Sequence, residues 1–133
     1  TKDILIPNAT VLTQIILKKR PPMKPTPIET VITLEAPPST VKLGTSLSFV
    51  GRLTESGTEK PIADTYIRLF DSDIGRDDLL FTDRTDGEGR FTLRWTARKT
   101  DPHDRTAEIY AKFEGNDKYQ STRTETYLIE LEL

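Results

Sequence analysis

The sequence predicts an all-β fold, an antiparallel sandwich of about seven strands preceded by an extended strand and a proline-rich linker. Three observations carry this expectation. Short runs rich in β-branched and aromatic residues recur about every ten residues, each closed by turn residues. No long run places apolar residues at i, i+3, i+4 and i+7, so the helical period is missing. Where apolar residues recur they alternate with polar ones, the period of a strand with one solvated face.

The elements follow in order. "TVITLE" (30–35) sets Ile32 and Leu34 on one face, and "APPST" ends it because proline donates nothing to a sheet ladder. "VKLGTS" reads as a turn around Gly44. "SLSFVGRLT" (46–54) points Leu47, Phe49 and Leu53 one way and Ser48, Arg52 and Thr54 the other. Gly51 falls in the buried register, where a bulky aromatic neighbour would cover it. "ESGTEKPIA" is a loop. "DTYIRLFD" (64–71) turns Ile67 and Leu69 inward, "DSDIGRDD" is a polar loop, and "LLFTDR" is a short strand. Asp86-Gly87 and Gly89 supply a tight reversal. Phe91, Leu93, Trp95 and Ala97 then share one face, with the only tryptophan read as the central plug of the core. "TAEIYAKFEG" (106–115) sets Ala107, Ile109, Ala111 and Phe113 against Glu108, Tyr110, Lys112 and Glu114. "NDKYQSTR" is a turn region, and "TETYLIELEL" closes the sheet with Tyr127, Ile129, Leu131 and Leu133 on one face.

Composition narrows the function classes. Of 133 residues 35% are apolar and 30% charged, and no apolar run approaches the ~20 residues of a spanning helix, so no membrane span is expected. The net charge is −2 and the basic residues are dispersed, which argues against nucleic acid. The one basic cluster, Lys18, Lys19 and Arg20 with Lys24 nearby, lies among prolines and reads as a solvated linker. The chain has no cysteine, so disulfides and thiolate chemistry are excluded. Thr1 suggests a processed or excised chain.

Residues 30–133 resemble the immunoglobulin-like modules of prokaryotic, especially archaeal, cell-surface proteins. The resemblance is carried by "GTSLSFVGRLT", "KPIADTYIRLF", "RTDGEGRFTLRWTA" and "AEIYAKFEGNDKYQSTRTETYLIEL", with Asn116, Tyr119 and Ser121 at matching places. Asp64 stands where that family usually has glycine. The resemblance implies an immunoglobulin-like sandwich over 30–133 and an extracellular or cell-surface location. It brings no catalytic residues, no cofactor and no enzyme activity.

Residues 1–29 form a separate unit in this reading, an apolar strand and a proline-rich linker. Within "TVLTQIIL", Val11, Ile15 and Leu17 oppose Leu12 and Ile16, so both faces of the strand call for cover. "PPMKPTP" is a stiff spacer. Three readings stay open. The segment is the last strand of a preceding repeat, a donor strand that completes a neighbouring subunit, or a strand that pairs with its own domain or stays unpaired. In the second, Ile4, Ile6, Val11, Leu12, Ile15, Ile16 and Leu17 make the subunit contact. Asn8, in Asn8-Ala9-Thr10, is the one N-glycosylation acceptor.

Candidate chemistry is sparse. His103 is the only histidine and reads as a solvated loop residue, not a general base. Asp71, Asp73, Asp77 and Asp78 are a calcium candidate, weighed against a plain acidic loop in which Arg76 opposes a cation. Tyr66, Arg68 and Phe70 share the outer face of their strand and form a candidate platform for a glycan, or a surface covered by a neighbour. The expected function is a structural subunit of a surface filament, sheath or stalk, self-associating or joined to neighbouring modules of its kind. The alternative is one module of a tandem adhesin or a glycan-binding accessory domain.

Overall fold

The structure, a computed structural model, describes residues 26–99 and 105–133. The strands are β1 (Thr30–Leu34), β2 (Thr40–Lys42), β3 (Ser46–Glu55), β4 (Tyr66–Asp71), β5 (Asp78–Arg84), β6 (Arg90–Thr96), β7 (Thr106–Phe113), β8 (Thr122–Arg123) and β9 (Tyr127–Glu132). Among the described residues there is no helix, and so none long and apolar enough to cross a membrane. One sheet has the order β1-β3-β6. The other has the order β2-β9-β7-β4-β5, with β8 pairing β7 beyond the end of β9.

Nine strands replace the expected seven or so, for two local reasons. After "APPST" the chain changes sheets and resumes as β2, so part of the expected "VKLGTS" turn is a strand that buries Val41. Near the C-terminus, the Thr124 hydroxyl accepts the Ala111 amide at 3.0 Å and interrupts the ladder between β8 and β9. The expectation of a purely antiparallel sheet is also corrected. β2 runs parallel to β9, Val41 opposite Leu131, while the other strand pairs are antiparallel.

Alternation decides what each sheet buries. Ile32 of β1, Phe49 and Leu53 of β3, and Phe91, Leu93 and Trp95 of β6 face the inner side of the first sheet. Ile67, Leu69, Ile109, Ala111, Phe113 and Ile129 do so from the second, and all belong to one apolar cluster. Trp95 is buried in that cluster but is not its centre. Phe49, Leu53, Ile67, Leu69, Leu93, Ile109 and Ile129 are the fully buried large side chains, whereas the Trp95 Nε1–H is buried without a hydrogen-bond partner among the described residues. The loop "ESGTEKPIA" also contributes: Ile62 is buried and its amide donates to Leu53 O at 3.0 Å.

Gly51 occupies the buried register because nothing larger fits. A Cβ there would overlap the Thr33 carbonyl oxygen of β1 and the Phe91 ring of β6. The β5–β6 turn is held by Asp86, whose Oδ1 accepts the amides of Glu88 and Arg90, both at 2.9 Å. These bonds, Arg90 first, hold the Asp86 carboxyl below the usual carboxylate range. Gly89 completes the turn at φ 77°.

Candidate functional site

The outer face of the six-stranded sheet carries the candidate platform. β4 alternates so that Ile67 and Leu69 enter the core while Tyr66, Arg68 and Phe70 point outward. Register then sets their neighbours: Tyr66 lies opposite Arg84, Arg68 opposite Lys112, and Phe70 opposite Tyr110. The three platform residues therefore divide between two clusters.

The first cluster surrounds Tyr110, which the sequence assigns only to a charged outer face. Its ring stacks on Phe70 with centroids 5.3 Å apart and planes at 23°. The Arg123 guanidinium lies 3.6 Å from its centroid. Its hydroxyl donates to Asp77 Oδ2. With these three neighbours, Tyr110 is only 4% exposed although it sits on the outer side of the sheet. Burial first, and the Asp77 carboxylate second, push its hydroxyl up to about 12. The same hydrogen bond is the main cause that holds the Asp77 carboxyl below its ordinary range. The signal for this cluster is present in the sequence, since Tyr110 is the only aromatic on the polar face of β7. Reading it requires the register with Phe70.

The second cluster is a shallow groove between the start of β4 and the turn after β7. Asp64, Tyr66, Arg68, Glu114 and Asn116 are among its lining residues. Tyr66 is 57% exposed, with the Arg84 guanidinium 5.7 Å from its ring centroid. Arg68 reaches Glu114 at 3.9 Å and Lys112 reaches the same carboxylate at 3.5 Å. Asn116 is fixed through Oδ1, which accepts the amides of Lys118 and Tyr119, both at 2.9 Å. Asp64 adopts φ 56°, a left-handed conformation that glycine adopts more easily. Its carboxylate lies 3.7 Å from Arg84.

The four carboxylates of the calcium candidate, weighed against a plain acidic loop, have different neighbours. Asp77 is engaged by Tyr110 and accepts the Asp73 amide at 3.4 Å. Asp73 accepts the Ile74 amide at 2.8 Å. Asp71 is buried and accepts the Glu108 amide at 3.1 Å, and Asp78 belongs to β5 with Arg76 4.0 Å away. The four carboxylates serve separate partners, and no group of three potential metal ligands converges among the described residues. Ile4, Ile6, Val11, Leu12, Ile15, Ile16 and Leu17, the acceptor Asn8 and His103 lie outside the described residues.

No protein-family model and no curated protein matches the sequence. Among solved structures, the chain is similar to superoxide reductase (neelaredoxin) from Ignicoccus hospitalis, with 18% identity and a TM-score of 0.49 over 76% of this chain and 80% of that one. The expectation that this chain is no enzyme is corrected by that neighbour, which is named as a reductase, and the exclusion is withdrawn. A likeness this remote brings none of that protein's activity to this chain.

Proposed function

We propose that residues 30–133 are an immunoglobulin-like sandwich acting as a structural module of a cell-surface filament, sheath or stalk, joined to neighbouring copies by strand complementation. The order β1-β3-β6 in one sheet and β9-β7-β4 in the other supports the fold half of this reading. In this reading β1, β3 and β6 correspond to strands A, B and E of an immunoglobulin-like domain and β9, β7 and β4 to G, F and C, with β5 beside C. The location outside the cell rests on the sequence resemblance.

One observation carries the assembly half: β6 ends its sheet. The backbone bonds at Gly89 and Ala97 direct the odd-numbered residues of β6 toward β3, so the peptide groups of Arg90, Thr92, Arg94 and Thr96 face the open edge. The Thr92 amide is capped by Asp83 Oδ2 from β5 at 2.8 Å. Among the described residues, Arg94 and Thr96 have no strand beside them on that side. Leu80 and Phe81 of β5, half-buried, offer apolar surface along the same opening. An apolar strand such as residues 11–17 meets both needs, backbone pairing and side-chain cover.

Light scattering and negative-stain imaging of residues 1–133 and 26–133 test this. The shorter chain starts at 26 because Ile28 is already paired with Tyr119 and its neighbours. The full chain is expected to form multimers that the shorter one does not. Two equally monomeric chains would rule out the connector.

A further inference from the structure

The groove beside Tyr66 is not used by the assembly reading, and its chemistry identifies a ligand class. Its volume is ≈ 240 Å³. That is below the ~300–1,000 Å³ of pockets for drug-sized ligands, so it suits one small ring of a longer molecule running out into solvent. Its lining includes an aromatic ring, that of Tyr66, which is 57% exposed. Its lining also holds both donors and acceptors: the Arg68 guanidinium, the Glu114 and Asp64 carboxylates, and the Asn116 carboxamide. Asn116 uses its oxygen on the Lys118 and Tyr119 amides, which leaves the NH₂ end as the donor for a ligand. Charges of both signs are interleaved, with Arg68 on Glu114 and Arg84 on Asp64. A phosphate or a polyanion would meet two carboxylates here, whereas hydroxyl groups find both donors and acceptors. The Asn116 carboxamide is held in place beforehand by its two hydrogen bonds, which lowers the ordering cost of binding there.

The geometry points to a neutral saccharide site, in which one sugar ring lies on Tyr66 and its hydroxyls bond Arg68, Glu114, Asp64 and Asn116. Asp64 adopts φ 56° with its carboxylate exposed at the groove, 3.7 Å from Arg84, a surface ion pair that contributes little to the fold. Phe70 is outside the site, because its ring is committed to Tyr110.

The test is an NMR titration of the full 1–133 chain with cellotriose, maltotriose and mannotriose, with sialyllactose as an anionic control. At least one neutral trisaccharide should bind at millimolar strength and shift Tyr66, Arg68 and Asn116. Tyr66→Ala should weaken it about tenfold, the equivalent of roughly 1.4 kcal/mol, with thermal unfolding nearly unchanged. Asp64→Gly should weaken binding while leaving the fold as stable or more so. Absence of shifts with all three neutral sugars overturns the proposal. So does binding that survives Tyr66→Ala, or a preference for sialyllactose. Where the full chain multimerises, saturation transfer to the sugar protons replaces the protein shifts as the readout, so failure of the assembly reading and failure of this site remain distinguishable.

Discussion

Gly51→Ala adds one methyl group where two walls already meet. The wall on β1 is the Thr33 carbonyl oxygen, and the wall on β6 is the Phe91 ring, which is 2% exposed. The ring is a side chain and can turn, while the oxygen belongs to the sheet and cannot move unless β1 moves. Leu34 pairs with Gly51 and Thr33 with Arg52, so displacing β1 loosens a ladder that ends at Thr30. Overpacking of this kind costs about 1–3 kcal/mol, and each sheet hydrogen bond weakened adds about 0.5–1.5 kcal/mol. A total near 3 kcal/mol is expected, or roughly 10 °C in Tm for a domain of this size. Urea denaturation gives the free energy directly. Two companions make it diagnostic. Gly87→Ala, with open space around its Cβ, should change stability by less than about 0.5 kcal/mol. Phe91→Leu placed on Gly51→Ala should recover little, because the carbonyl remains. A loss below about 0.5 kcal/mol in Gly51→Ala, or full rescue by Phe91→Leu, would refute the argument.

Further outcomes follow from the outer face and the open edge. Tyr110→Phe keeps the stack on Phe70 but removes the donor to Asp77, at a cost of about 1.5–3 kcal/mol for a bond to a charged group, and the Asp77 carboxyl should titrate higher by NMR. In the unmodified chain, a tyrosine hydroxyl raised on folding stabilises fully below its unfolded pKa of 10.0. That contribution is lost as pH rises through about 12, so alkaline unfolding should track late tyrosinate absorbance and lose this component in Tyr110→Phe. Asp83→Ala uncaps the Thr92 amide and extends the free part of the β6 edge. Sedimentation should then show more self-association, and an unchanged or reduced tendency would count against that edge as the acceptor.

How much was legible depends on how local the signal is. β3, β4, β6 and β7 were legible because each alternates over six residues or more, and the aromatic cover over Gly51 follows from its place in that alternation. β2 was not, since three residues between a proline break and a glycine turn carry no period, and its partner β9 lies at the far end of the chain. Ile62 looked like loop because its burial comes from pairing outside the named strands. Of the platform, Tyr66, Arg68 and Phe70 were found on one strand, but their division between a closed stack and an open groove was hidden. Phe70 is closed off by Tyr110, which comes from β7, about forty residues away, and a single strand's pattern has no information about register. In the acidic loop, four nearby carboxylates in sequence leave a cation and a plain loop both open, and only the fold gives each carboxylate its own partner.

Trp95 gives the molecule a built-in optical reporter. The chain has a single tryptophan, 95% of its surface is withdrawn from solvent, and its indole N–H has no partner among the described residues. An indole in that setting is spared the polar relaxation that moves its emission to long wavelengths, so the folded protein should emit in the blue and turn red when the two sheets part. Every variant discussed above leaves Trp95 in place, and its colour can therefore be read in each of them without a label.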